Sequence, residues 1–177
     1  VLVTNHIRKK LLAVGEKETH RKVMTYIPDA AGNYFVRDGE GNYWTLFLFV
    51  SDSHGIEEVT NPAQAYSAGR AFGHFQQQLS DLPGSHLIET IPNFHNGKFR
   101  LKQFKDAITA NTAHRVAEMK PVIDKLMARA EEMTRLQDWL DKGKIPLRIT
   151  HNDTKINNVL YDHDGNTLCI IDLDTVM

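Results

Sequence analysis

Apolar positions along the first fifty residues come in short runs separated by turn-forming clusters. Residues 23–27, 34–37 and 43–50 read as strands, with the clusters Asp29-Ala30-Ala31-Gly32-Asn33 and Asp38-Gly39-Glu40-Gly41-Asn42 between them. This pattern predicts a small antiparallel meander, preceded by a short basic helix over residues 5–13 on which Lys9 and Lys10 form a solvated face.

After Asn61-Pro62 the period changes. An asparagine cap followed by proline is a strong helix start, because proline lacks only an N–H that has no partner in the first turn. Ala65, Ala68, Phe72, Phe75 and Leu79 then recur at three and four residues and predict one buried stripe, in which Gly69 and Gly73 would admit a close neighbour. Leu82-Pro83-Gly84 ends this helix. Two more helices are predicted over residues 102–114 and 121–141, the second with Ile123, Leu126, Ala130, Met133, Gln137 and Leu140 on one face and Lys142-Gly143 as its stop.

The last thirty residues hold two apolar runs, 159–161 and 168–171, around His163-Asp164-Gly165-Asn166, a strong hairpin signal. Folding it sets Asn157 or Asn158 opposite Asp172, roughly 5 Å apart between Cα atoms. A one-residue slip exchanges the two asparagines, so periodicity leaves the register open. Either way an amide oxygen and a carboxylate converge, and hard oxygen donors of this kind are what Mg²⁺ takes up in phosphoryl-transfer sites. Asp153 lies just upstream, where a carboxylate could accept a proton from a substrate hydroxyl.

Composition narrows the function classes. With 21 Lys and Arg against 22 Asp and Glu the net charge is -1, which supplies no global field for nucleic acid or an anionic membrane. No apolar stretch is long enough to span a bilayer. Cys169, the single cysteine, sits in an apolar run; it permits no intrachain disulfide and suggests a reduced, cytoplasmic setting in which it is a small buried hydrophobe. The 41% of hydrophobic residues suffices for one ordinary domain or two small lobes.

Two short motifs complete the pattern. His151, Asp153 and Asn158 meet the spacing H-x-D-x-x-x-x-N, and Ile171, Asp172 and Asp174 meet I-D-x-D. Together with the hairpin, they resemble the catalytic loop and acidic motif of the aminoglycoside phosphotransferase and choline kinase group, which has a protein-kinase-like fold. The runs Thr-His-Asn-Asp-Thr-Lys-Ile-Asn-Asn-Val-Leu (150–160) and Ile-Asp-Leu-Asp-Thr-Val-Met (171–177) are more particularly similar to N-acetylhexosamine 1-kinases; 43–50 and 71–76 add weaker support.

That resemblance implies an ATP-dependent phosphotransferase with a small-molecule sugar acceptor, phosphorylated at C1. Asp153 would take the acceptor's proton, Lys155 would steady the moving phosphoryl group, and Asn158 and Asp172 would hold Mg²⁺. His151 would be structural. Asp174 is either a second metal ligand or an exposed carboxylate. Phe49 and Val50 open the segment 49–52, which is either a hinge whose backbone meets adenine or an ordinary strand end. The implied fold is α+β and partial: residues 1–50 end a small antiparallel lobe, 51–60 form the hinge, and 61–177 begin a helical lobe carrying the catalytic hairpin. No Gly-rich loop and no lysine on a strand grips the nucleotide, so the chain is expected to be the inactive middle of a longer kinase.

Two other readings compete. A kinase-like accessory protein without catalysis, such as relatives linked to mucin-desulfating sulfatases, would share these motifs. A zinc hydrolase could draw on His151, Asp153 and Asp172, although the nine histidines show no H-x-H or H-E-x-x-H spacing. Oligomeric state is not legible.

Overall fold

Three turns of one composition, Asp-x-x-Gly-Asn, shape most of the β-structure. The computed structural model describes residues 1–177 and folds 29–33, 38–42 and 162–166 alike. In each, the aspartate Oδ1 accepts the main-chain N–H groups two and four residues on, and Oδ2 accepts the asparagine amide at 3.1 Å. The glycines at 32, 41 and 165 have φ of 87°, 91° and 81°, a region open to them because they carry no Cβ. An Asx-type loop is locally self-sufficient, so each closes its ribbon without help from the core.

The chain divides into two compact units, residues 1–90 with 148–177, and residues 91–147. The first unit opens with α1 (Leu2–Ala13), which buries Val3, Thr4 and Ile7, and a single turn, α2 (Thr19–Lys22). Lys10 is not the solvated side chain expected from sequence. It reaches Asp81 and the Gln78 carbonyl, while His6 meets Asp81 at 2.9 Å; the bond from Lys10, and then that from His6, holds the Asp81 carboxyl down at about 2.

The predicted meander is instead one two-stranded ribbon. β1 (Val36–Arg37) pairs with β2 (Tyr43–Trp44), and farther along the same stretch Tyr26 stands opposite Phe47. Ile27 N donates to Leu46 O at 2.8 Å and Leu48 N to Thr25 O at 2.9 Å. Residues 25–27 therefore lie opposite 46–48 on the ribbon's far strand and form no strand pair with 34–37, while Asp29 N bonds to Asn33 O across the intervening loop. In the second loop Trp44 Nε1 donates to Asp38 Oδ2 at 2.8 Å, and Trp44 with Asn42 depresses the Asp38 carboxyl to about 2. A depressed carboxylate contributes above its unfolded value, near 4, and loses that contribution as pH falls through the folded value. The Trp44 indole N–H resonance is therefore expected to titrate with a midpoint near 2; a midpoint near 4 would mean the bond is not kept in solution.

Helix α3 (Pro62–Gln78) starts where the sequence places it. Asn61 Oδ1 accepts Gln64 N at 3.0 Å, and Gln64 Oε1 returns to Thr60 N at 2.9 Å, a reciprocal cap. Ala68, Phe72, Phe75 and Leu79 are buried as expected, whereas Ala65 is exposed. Gly69 and Gly73 also face open space, where an added methyl would touch nothing within 4 Å, so they admit no close neighbour. Gly→Ala at either site is thus expected to raise stability by ~0.5–1 kcal/mol, read from urea midpoints, by removing the entropy cost of glycine in a helix.

The unit closes with a three-stranded antiparallel sheet in the order β3 (His54–Gly55), β4 (Val159–Tyr161), β5 (Thr167–Ile170). Its register is Val159 with Ile170 and Leu160 with Cys169, followed by a bulge before Tyr161 pairs with Thr167. The core follows from this topology: Phe75, Leu79, Ile7, Ile149 and Val176 pack together, and Val159 and Tyr161 pack beside Ala68 and Phe72. Burial pushes the Cys169 thiol up to about 12, so it behaves as an inert hydrophobe. No helix is long and apolar enough to cross a membrane.

In the second unit α4 (Gly97–Ala110) is capped by Asn96 Oδ1 on Phe99 N at 3.1 Å. The single helix expected over residues 121–141 is two, α5 (Val116–Met127) and α6 (Ala130–Asp141). Neither Ala128 nor Arg129 is a helix breaker, and the residues beyond the break pack on α4. Helix α6 lies against α4 so closely that a Cβ on Gly97 would fall 2.7 Å from the Met133 carbonyl, and Lys98 bridges Asp138 and Asp141 at 2.7 Å each.

Candidate functional site

The loop between Ile149 and the hairpin is built around one buried imidazole. His151 is 1% exposed, with Phe72 and Phe75 edge-on at 5.2 and 5.8 Å between ring centres. Its Nδ1 accepts the Asp153 main-chain N–H at 3.3 Å, and its Nε2 lies 2.9 Å from the Ile171 carbonyl. A main-chain N–H can only donate and a carbonyl can only accept. His151 is therefore the neutral tautomer with its proton on Nε2, tying the loop to the segment just after β5 that carries Asp172.

Polar residues that the sequence reading passed over fasten the loop from the other side. Thr175 Oγ1 donates to the His151 carbonyl at 2.6 Å, and Asn152 Nδ2 donates to the Thr175 carbonyl at 2.9 Å. Thr150 and Met177 exchange main-chain bonds at 3.1 and 3.3 Å. Asn152 holds φ at 65°, a left-handed conformation that asparagine tolerates better than most residues. The only hint in the sequence was a polar pair, Thr150 and Asn152, flanking the motif histidine.

The two asparagines left open by the register separate cleanly. Ile171 N bonds to Asn158 O at 3.0 Å. Asn157 turns to Glu57, with Nδ2 3.2 Å from Oε2. Asn158, 4% exposed, turns to Asp153, donating from Nδ2 to the Asp153 carbonyl at 2.9 Å and to Oδ2 at 3.2 Å. This spends the amide N–H groups on Asp153 and leaves Oδ1 as the acceptor end. Lys155 Nζ sits 2.9 Å from Asp153 Oδ2 and 3.7 Å from Asp172 Oδ2. Its ammonium, helped by Asn158, holds the Asp153 carboxyl below the ordinary carboxylate range, and Asp153 and then Asp172 raise Lys155 in turn. Four of the predicted residues, Asp153, Lys155, Asn158 and Asp172, therefore share one neighbourhood.

Asp172 is itself left-handed, at φ 59° and ψ 59°. Such a conformation in a non-glycine residue costs of order 1 kcal/mol and persists only where its surroundings impose it. Here it ends the strand and begins the turn Leu173–Thr175. Asp172 and Asp174 border a cavity of about 510 Å³ that is otherwise mostly apolar, walled by Tyr26, Phe49, Val50 and Leu160. Val50 is buried at its back, and Phe49 is 85% exposed at its edge. Ser53 Oγ already donates to the Val50 carbonyl at 2.7 Å, and Arg21 reaches the Ser51 and Asp52 carbonyls at 3.4 Å. The segment is thus held in place by polar contacts of its own.

An amide oxygen and exposed carboxylates beside a flexible ammonium form a hard, anionic donor set, which suits a small divalent cation. No three His, Cys, Asp or Glu side chains converge to hold a metal ion, so any ion here would draw part of its coordination from the Asn158 amide and from ligand oxygens. The cavity, the loop and the hairpin all lie within residues 20–177, the span matched by a family model described as the phosphotransferase enzyme family. The match takes in almost the whole chain, and on that ground the chain belongs to the phosphotransferase enzyme family.

Proposed function

We propose that the full-length protein transfers the γ-phosphoryl group of ATP to the C1 hydroxyl of an N-acetylhexosamine. The observation that carries this reading is the convergence of Asp153, Lys155 and Asn158 with Asp172, which itself borders the largely apolar cavity. Adenine would lie against Phe49 and Val50, with the phosphates directed toward Asp172 and Asp174. Mg²⁺, held by Asn158 and Asp172 with Asp174 as a further ligand, would supply charge neutralisation on the phosphate oxygens. Asp153 accepts the proton of the C1 hydroxyl as the oxygen–phosphorus bond forms, and the bond to the bridging oxygen of ADP breaks in line. Lys155 neutralises charge on the group in transit. Asp153 is ionised at neutral pH, as an ordinary aspartate is, and Lys155 holds its carboxyl lower still.

The acceptor is assigned from sequence similarity alone, so its test compares acceptors. Full-length protein with Mg²⁺ and ATP is expected to convert N-acetylglucosamine or N-acetylgalactosamine to the sugar 1-phosphate, followed by phosphorus NMR. Phosphorylation of choline or an aminoglycoside instead would overturn the acceptor and keep the chemistry. No ADP with any acceptor, together with binding to a sulfatase, would favour the accessory reading.

A further inference from the structure

We propose that Lys155 is a built-in cation that stands at the Asp172 edge of the divalent-metal site until nucleotide phosphates draw it away, so that free metal ion and the Lys155 ammonium compete for the Asp172 carboxylate. This rests on the phosphotransferase reading and adds to it a control over what enters the site.

Lys155 Nζ is within 3.7 Å of oxygens on two separate carboxylates, Asp153 and Asp172, which come from different segments of the chain. Asp153 Oδ2 is shared, with Lys155 at 2.9 Å and Asn158 Nδ2 at 3.2 Å. The asparagine amide contact is neutral, so the ammonium alone balances the two acids. A lysine stem is long and flexible, and about half of this side chain is exposed, so leaving Asp172 requires no rearrangement of the core. The acids are held more firmly. Asp153 is tied to His151 through its N–H and to Asn158 through its carbonyl, and Asp172 follows the Ile171 carbonyl on which His151 is anchored. The cation is thus the longer and more flexible partner, set against two acids whose main chain is tied to the His151 loop.

Competition follows from charge. A bare divalent ion must meet Asp172 while a positive charge stands beside it, or displace that charge into water. A metal ion carried on a nucleotide triphosphate brings its own anionic oxygens, which offer the displaced ammonium a new partner. Lys155 therefore disfavours free metal more than metal already bound to nucleotide, and coupling of this sort is reciprocal between the two ligands.

The test measures metal binding without turnover. Mn²⁺, titrated by electron paramagnetic resonance into the protein and into K155Q and K155R, is expected to bind K155Q about tenfold more tightly than the parent in the absence of nucleotide. K155R, which keeps the charge, should bind as weakly as the parent. With ATP present, the advantage of K155Q should vanish or reverse. Equal free-Mn²⁺ affinities for the parent and K155Q, with Mn²⁺–ATP still bound, would overturn the competition alone. Failure of every form to bind Mn²⁺ with or without ATP would overturn it together with the phosphotransferase reading. Circular dichroism of K155Q, expected to match the parent, guards against a folding artefact.

Discussion

Asp153→Asn is expected to lower phosphoryl transfer in the full-length protein by about a thousandfold with little change in thermal stability, the range over which a positioned general base acts. The asparagine is nearly isosteric, and the bond from Asn158 Nδ2 to the residue-153 carbonyl does not depend on the side chain. What is lost is the acceptor for the hydroxyl proton and one anionic partner of Lys155. A coupled assay of ADP release checks it. Turnover surviving within tenfold of the parent would remove Asp153 from the role of base. Because Lys155 depresses the Asp153 carboxyl, the acid limb of the parent's rate profile should lie below the ordinary carboxylate range, and K155Q should move it upward.

His151→Leu should be the most damaging single change to the loop. Leucine retains apolar contact with Phe72 and Phe75 but strands the Asp153 N–H and the Ile171 carbonyl, both of which bond to the imidazole. Losing a partner for buried polar groups costs about 1–3 kcal/mol each, so a loss of about 3 kcal/mol in urea unfolding is expected, with faster hydrogen exchange at the Asp153 amide. Stability within 0.5 kcal/mol of the parent, roughly the scatter of surface substitutions, would show that these bonds do not hold the loop.

Local signals were read well wherever the chemistry is local. The Asn61 cap, the stripe of Ala68, Phe72, Phe75 and Leu79, and the turn at Asp164 and Gly165 each depend on a few adjacent residues, and each stands in the structure as its residues predict. The Asp-x-x-Gly-Asn loops were equally legible as turns. Their shared hydrogen bonding was not, and neither was the outcome that two of them close antiparallel ribbons while the third, at 29–33, lies between residues 23–27 and a ribbon whose far strand they join. The break between α5 and α6 had no local cause to read: it accompanies the close packing of Gly97 against Met133 and the Lys98 bridges.

The candidate site divides along the same line. Spacing brought Asp153, Asp172 and one of Asn157 and Asn158 together, because a fixed number of residues between a loop and a hairpin limits where their side chains can go; the resemblance supplied the choice of Asn158 and the alternatives for Asp174. Which asparagine turns inward, that Lys155 spans two acids, that His151 carries its proton on Nε2, and that Thr175 locks the loop are decided only by the folded chain. Each depends on contacts between groups distant in sequence, such as His151 with Ile171 and Lys155 with Asp172. A one-residue change of register or a different side-chain rotamer alters these contacts while leaving the hydrophobic pattern nearly intact.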